Sequence, residues 1–132
     1  DIDTMAVAVP TTLMHLHSVI VKLKRNSSKE EVISLWKDTP RVKFVSGGEG
    51  IISTAQIMEM ARDLIRERSD LNEIAVWEDG VHVVDDHLYY YQAIHQESDV
   101  VPENIDCIRA MFKLTDNKME SIEKTNKALG IK

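Results

Sequence analysis

The chain alternates between two hydrophobic periods, and the switches between them outline its elements. Val19, Val21 and Leu23 alternate with Ser18, Ile20, Lys22 and Lys24, a period of two that predicts a strand over 18–24. Small, β-branched and apolar residues over 4–9 predict a shorter buried strand, which Pro10 ends by removing a backbone donor. Ser28 followed three residues later by Glu31 is a capping box, and Val32, Ile33, Leu35 and Trp36 then give an apolar helical face that Thr39-Pro40 terminates. Residues 42–45 read as a strand and Gly47-Gly48-Glu49-Gly50 as a turn. Ser53 with Gln56 forms a second capping box, opening a helix whose apolar stripe is Ile57, Met58, Ala61, Leu64 and Ile65.

Three further strands are expected over 73–77, 81–84 and 88–94, separated by short polar turns as in an antiparallel meander. Pro102 suits the first turn of a helix with Ile105, Ile108, Met111 and Phe112 facing inward. Asp116 or Asn117 caps a last helix, with Met119, Ile122 and Leu129 inward and Gly130 as the stop. This order predicts an α+β fold, a largely antiparallel sheet with helices packed on one face.

Composition narrows the picture. A chain of 132 residues with 43% apolar content supports one compact core. The net charge of −6 argues against nucleic acid as a partner, and Lys22, Lys24 and Arg25 read as the solvated end of a strand. No apolar run reaches the roughly 18 residues of a membrane span, no signal-peptide layout is present, and the single Cys107 has no disulfide partner, so a cytoplasmic protein is expected. The opening Asp1-Ile2-Asp3-Thr4, running at once into strand-like sequence, suggests a fragment.

Chemistry concentrates at two places. In an extended segment His15 and His17 point to the same side. As a metal pair they need a further ligand that the next ten residues do not supply. They also fit partly buried polar residues satisfied by neighbours, or a general base near neutral pH. Spacing alone does not choose among the three. The string His95-Gln96-Glu97-Ser98-Asp99 ends the last strand ahead of a helix; Ser98 or Asp99 suits a cap, while the Gln96 amide, both donor and acceptor, suits recognition of another amide such as a nicotinamide carboxamide. Cys107, beside Ile108 and Met111, reads as inert core, and no Gly-x-Gly-x-x-Gly element encodes a dinucleotide fold.

Three long strings, Pro-Thr-Thr-Leu-Met-His over 10–15, Tyr-Tyr-Gln-Ala-Ile-His-Gln-Glu-Ser-Asp-Val-Val-Pro-Glu-Asn over 90–104 and Ser-Ile-Glu-Lys-Thr-Asn-Lys-Ala over 121–128, are similar to the archaeal-type phosphorylating glyceraldehyde-3-phosphate dehydrogenases. The resemblance implies that residues 1–132 are the C-terminal portion of the catalytic domain, with the N-terminal dinucleotide-binding domain absent. In that family a cysteine attacks the aldehyde of glyceraldehyde 3-phosphate, hydride passes to NAD or NADP, and inorganic phosphate cleaves the thioester to 1,3-bisphosphoglycerate. By resemblance the catalytic histidine falls on His15, His17 becomes its supporting neighbour, and Gln96 matches the position that contacts the nicotinamide cofactor. The family's Ser-Cys-Asn-Thr-Thr nucleophile string has no counterpart here, and Cys107 lies in no such setting. The isolated chain is therefore expected to be inactive, and a homotetramer is expected of the complete enzyme. Two other readings differ in class: a stand-alone α+β interaction module, and a metal-dependent hydrolase using His15 and His17.

Overall fold

The structure is a computed structural model that describes residues 13–131; the strand expected over residues 4–9 lies outside them. Five strands, β1 (His15–Lys22), β2 (Val42–Val45), β3 (Ile74–Trp77), β4 (His82–Val84) and β5 (His87–Ile94), form one sheet with the order β1-β5-β3-β2, and β4 pairs with β5. Four helices, α1 (Lys29–Lys37), α2 (Thr54–Asp63), α3 (Gln96–Met111) and α4 (Lys118–Leu129), complete an α+β fold. The sheet is largely antiparallel: β1, β3 and β4 all run antiparallel to β5, and only β2 and β3 are parallel, joined through α2.

Both serine N-caps form. Ser28 accepts a hydrogen bond from the Glu31 amide and Ser53 from the Gln56 amide, each satisfying a donor that the first helical turn leaves open. Glu30 and Glu31 at the start of α1 and Lys37 at its end complement the helix dipole. The core falls into two clusters. Ile57 and Ala61 of α2 pack with Met14, Val45, Leu71, Ala75 and Ala93, whereas Val32 and Ile33 of α1 pack with Val76, Val81 and Leu88. Ala75 and Val76 are consecutive on a strand and point to opposite sides. The expected helix layer is thus the α2 side, and α1 adds cover on the other.

Three expectations are corrected. Residues 73–94 do not make a simple meander, because β3 and β4 follow one another along the same edge of β5: Ala75 faces Ala93, and His82 faces Tyr89. The Glu78-Asp79-Gly80 turn interrupts one strand instead of reversing it, and its backbone is tied by Gly80 and Val81 amides donating to the Trp77 and Glu78 carbonyls. The helix expected to begin near Pro102 starts at Gln96, with Pro102 inside it. Its Ile108, Met111 and Phe112 are 54%, 72% and 71% exposed, and Met119 of α4 is also exposed. Ile105, Ile122 and Leu129 are partly buried as expected, and α3 and α4 also enclose a polar group: Asp106 accepts from Ser121 and Thr125 hydroxyls, both at 2.7 Å, from Arg109 at 2.8 Å and from Arg41 at 2.5 Å.

Candidate functional site

β1 starts where the core lets go. Met14 is 1% exposed and anchors the chain in the α2-side cluster, so the next residue, His15, must turn to the other side of the strand. His15 is exposed and opens the ladder opposite Ile94, the last residue of β5. His17 follows on the same side, its ring centroid 6.3 Å from that of His15, and its Nδ1 lies 3.1 Å from the Gln92 amide nitrogen, the residue it faces across the ladder. The shared orientation expected of the two imidazoles is observed. Gln92 is a contact the sequence reading missed, although cross-strand register delivers it directly once β1 and β5 are paired.

β5 ends at Ile94, the chain turns through His95, and Gln96 is the first residue of α3. His15 and Gln96 therefore stand at the same end of the β1–β5 ladder, His15 paired with Ile94 and Gln96 two residues beyond it in sequence. No hydrogen bond joins them among the described residues. Gln96 is exposed at the start of α3, and its side-chain amide makes no hydrogen bond among the described residues. That suits a carboxamide, which needs both a donor and an acceptor.

Behind Gln96 lies a buried polar cluster. His95 is the N-cap of α3, yet its side chain makes no capping bond; the ring is 3% exposed and its Nδ1 is 2.8 Å from Ser98 Oγ. Ser98 Oγ donates to Asp70 Oδ1 at 2.9 Å, and Asn72 Nδ2 donates to the Ser98 carbonyl at 3.0 Å. Ser98 and Asp99 were expected as caps; both lie inside the helix instead, and Ser98 is fully buried. Burial works to raise the Asp70 carboxyl, but hydrogen bonds from Arg68 and Ser98 and the charges of Arg68 and His95 bring it below its ordinary value. Asp99 goes the other way. Burial holds its carboxyl above the ordinary range, opposed by a backbone hydrogen bond and the charge of His95, and its Oδ1 is buried without a partner.

Cys107 is exposed on α3, not in the core, because the side of that helix bearing Ile108 and Met111 is turned outward in this chain. It lies in no thiol-activating setting that the described residues show. Among those residues no group of three histidine, cysteine or carboxylate side chains is placed to hold a metal ion, so His15 and His17 have no third ligand there. An apolar hollow of about 500 Å³ is lined by Leu16, Ile52, Trp77, Asp79 and Tyr91. Leu16 alternates with His15, which puts the hollow on the opposite side of the sheet from the two imidazoles. Among the described residues no helix is long and apolar enough to cross a membrane.

Comparison with known proteins bears on this arrangement. A family profile described as glyceraldehyde 3-phosphate dehydrogenase, C-terminal domain, matches residues 1–80. The glyceraldehyde-3-phosphate dehydrogenase of Methanothermus fervidus is 52% identical over 131 residues, which is 99% of this chain and 39% of the relative. The enzymes of the same name from Methanococcus maripaludis and Pyrococcus abyssi are each 58% identical, over 98% and 99% of this chain and 38% and 39% of their own lengths. The chain thus spans about two fifths of the length of the curated relatives it matches.

Proposed function

This chain belongs to the glyceraldehyde 3-phosphate dehydrogenase C-terminal domain family, and on that premise we propose that it is the C-terminal portion of the catalytic domain of a phosphorylating, NAD- or NADP-dependent dehydrogenase. The complete enzyme would convert D-glyceraldehyde 3-phosphate, NAD(P) and inorganic phosphate to 1,3-bisphosphoglycerate and NAD(P)H. His15 is its general base and Gln96 the contact to the nicotinamide carboxamide. A homotetramer in the cytoplasm belongs to the same reading; the exposed Leu16, Ile20 and Tyr91 leave one side of the β1–β5 ladder open to another subunit.

The observation that carries the proposal is the exposed His15 ring, held out of the core by buried Met14 at the end of the sheet where Gln96 begins α3. A base must reach its proton within hydrogen-bond distance, and an accessible imidazole on a fixed strand is open to a substrate bound at that end of the sheet. His15 would take the proton released as the substrate's aldehyde carbon is oxidised. The cofactor, when bound, supplies the hydride acceptor. Gln96 would donate to and accept from its carboxamide, which fits an exposed side chain without a hydrogen bond among the described residues. The nucleophilic thiol is not provided by Cys107 and must come from elsewhere in the complete enzyme. Groups that act as a unit fail as a unit, so the 132 residues alone should form no NADPH from glyceraldehyde 3-phosphate, NADP and phosphate.

The test uses a complete chain in which these residues follow the upstream part of a full-length relative. That chain should reduce NADP, and His15→Asn should lower kcat by about 10²–10⁴. An unchanged kcat, or turnover by the isolated 132 residues, overturns the proposal.

A further inference from the structure

The turn from β5 into α3 is held more tightly than capping a helix requires. Ser98 carries one hydroxyl proton, and it goes to Asp70, because an ionised carboxylate has only acceptors. The proton in the 2.8 Å contact between Ser98 and His95 therefore sits on His95 Nδ1, which donates to Ser98 Oγ. This places a proton on Nδ1 and fixes the ring's orientation. Asp70 Oδ2 in turn accepts from Arg68 at 2.9 Å.

A second tie completes the first. The Ser98 carbonyl would normally receive the amide four residues on, but that residue is Pro102, which has no N–H and is itself buried. Asn72 Nδ2 fills the place at 3.0 Å. Asp70 and Asn72 lie just after a segment where Arg68 and Ser69 both adopt left-handed backbone, at φ 57° and 60°. Strained backbone persists only where its surroundings over-determine it, and here the ties to α3 do so. None of these groups serves the chemistry proposed above. What they share is the first turn of α3, whose first residue is Gln96.

We propose that Asp70, Asn72, His95 and Ser98 are positioning residues that lock the first turn of α3 and thereby hold the Gln96 amide in place for the nicotinamide cofactor. The clamp sets cofactor affinity and leaves the proton-transfer step at His15 alone. This rests on the reading of Gln96 given above, and the experiment separates the two.

In the complete chain, Ser98→Ala and Asp70→Ala each remove a link. Each should raise KM for the coenzyme about three- to tenfold, the worth of one buried hydrogen bond, with kcat within about twofold. Asp70, on a side chain 21% exposed, serves as the readout if Ser98→Ala fails to fold. His95→Asn keeps a donor near the Nδ1 position and should retain the original KM, whereas His95→Leu should behave like Ser98→Ala. Gln96→Leu should raise KM by itself, and adding Ser98→Ala to it should do nothing more, since the clamp acts through Gln96. If Gln96→Leu leaves KM unchanged, the cofactor reading of Gln96 is lost and the clamp proposal with it. If Gln96→Leu raises KM while Ser98→Ala and Asp70→Ala only lower the melting temperature, the cluster is merely structural and the clamp alone is refuted.

Discussion

Asp106→Asn is the sharpest single perturbation of the fold, because it changes almost no volume and reverses one hydrogen-bonding atom. Asp106 Oδ1 accepts from Ser121, Thr125 and Arg109, and Oδ2 accepts from Arg41, whose side chain is 7% exposed. Every neighbour is a donor. An asparagine can point its carbonyl at only one side, so its NH2 must oppose either Arg109 or the Arg41 guanidinium. The least costly choice keeps the carbonyl on the α4 side and leaves Arg41 with Asn126 at 2.9 Å and the exposed Glu103. One charge-assisted bond worth about 1.5–3 kcal/mol is lost and the others weaken; breaking a buried pair by removing one partner costs about 3–5 kcal/mol. We therefore expect about 3 kcal/mol, a large share of the roughly 5–15 kcal/mol of a typical domain.

Urea unfolding at pH 7 followed by tryptophan fluorescence should show a midpoint lower by about 1–3 M. Trp77 packs against the α2-side cluster and Trp36 against the α1-side cluster, so both halves of the core report. The pH dependence has a definite sign. Burial would raise the Asp106 carboxyl, but hydrogen bonds from Ser121, Thr125 and Arg41 and the Arg41 charge leave it below its ordinary value. A depressed carboxyl stabilises the fold above its unfolded value of about 3.9, and that contribution is lost as pH falls through the lower folded value. The gap between the original chain and Asp106→Asn should thus be full at neutral pH and close in acid below about pH 3.9. A gap under about 1 kcal/mol at pH 7, or one that does not narrow down to about pH 2, would refute the account.

Asp99→Asn should act in the opposite direction. Its carboxyl is held above the ordinary range by burial and its Oδ1 lacks a partner, so removing the charge should stabilise by about 0.5–1 kcal/mol at pH 7, measured as a higher melting temperature. The original chain should gain the same stability as pH falls through the raised folded value, which Asp99→Asn would abolish. Gly130 caps α4 at φ 69°, where a side chain is strained, so Gly130→Ala should cost about 1 kcal/mol in the same melting experiment. In the complete chain His15→Asn should remove most of kcat while leaving KM for the coenzyme within about twofold, read from steady-state kinetics.

The elements built on local signals were legible in the sequence. Ser28 with Glu31 and Ser53 with Gln56 started helices where expected, residues 42–45 made β2, and the alternation around Val19 and Val21 made β1. The long strings around His15 and Gln96 pointed to the family that the comparisons show. Even so, the start of α3 was misplaced, because Pro102 is common in first turns and nothing local reveals that Asn72 can replace its missing donor.

What the sequence by itself determined was therefore periodicity, caps and family, each a property of neighbouring residues. Only the tertiary structure decided which apolar faces are covered. Ile108, Met111 and Phe112 have helical spacing but stay exposed among the described residues, while the polar Asp106, Ser121 and Thr125 are enclosed where Arg41 arrives from a distant part of the sequence. Burial depends on what packs against a face, and charge pairing between residues 65 positions apart leaves no mark on either segment alone.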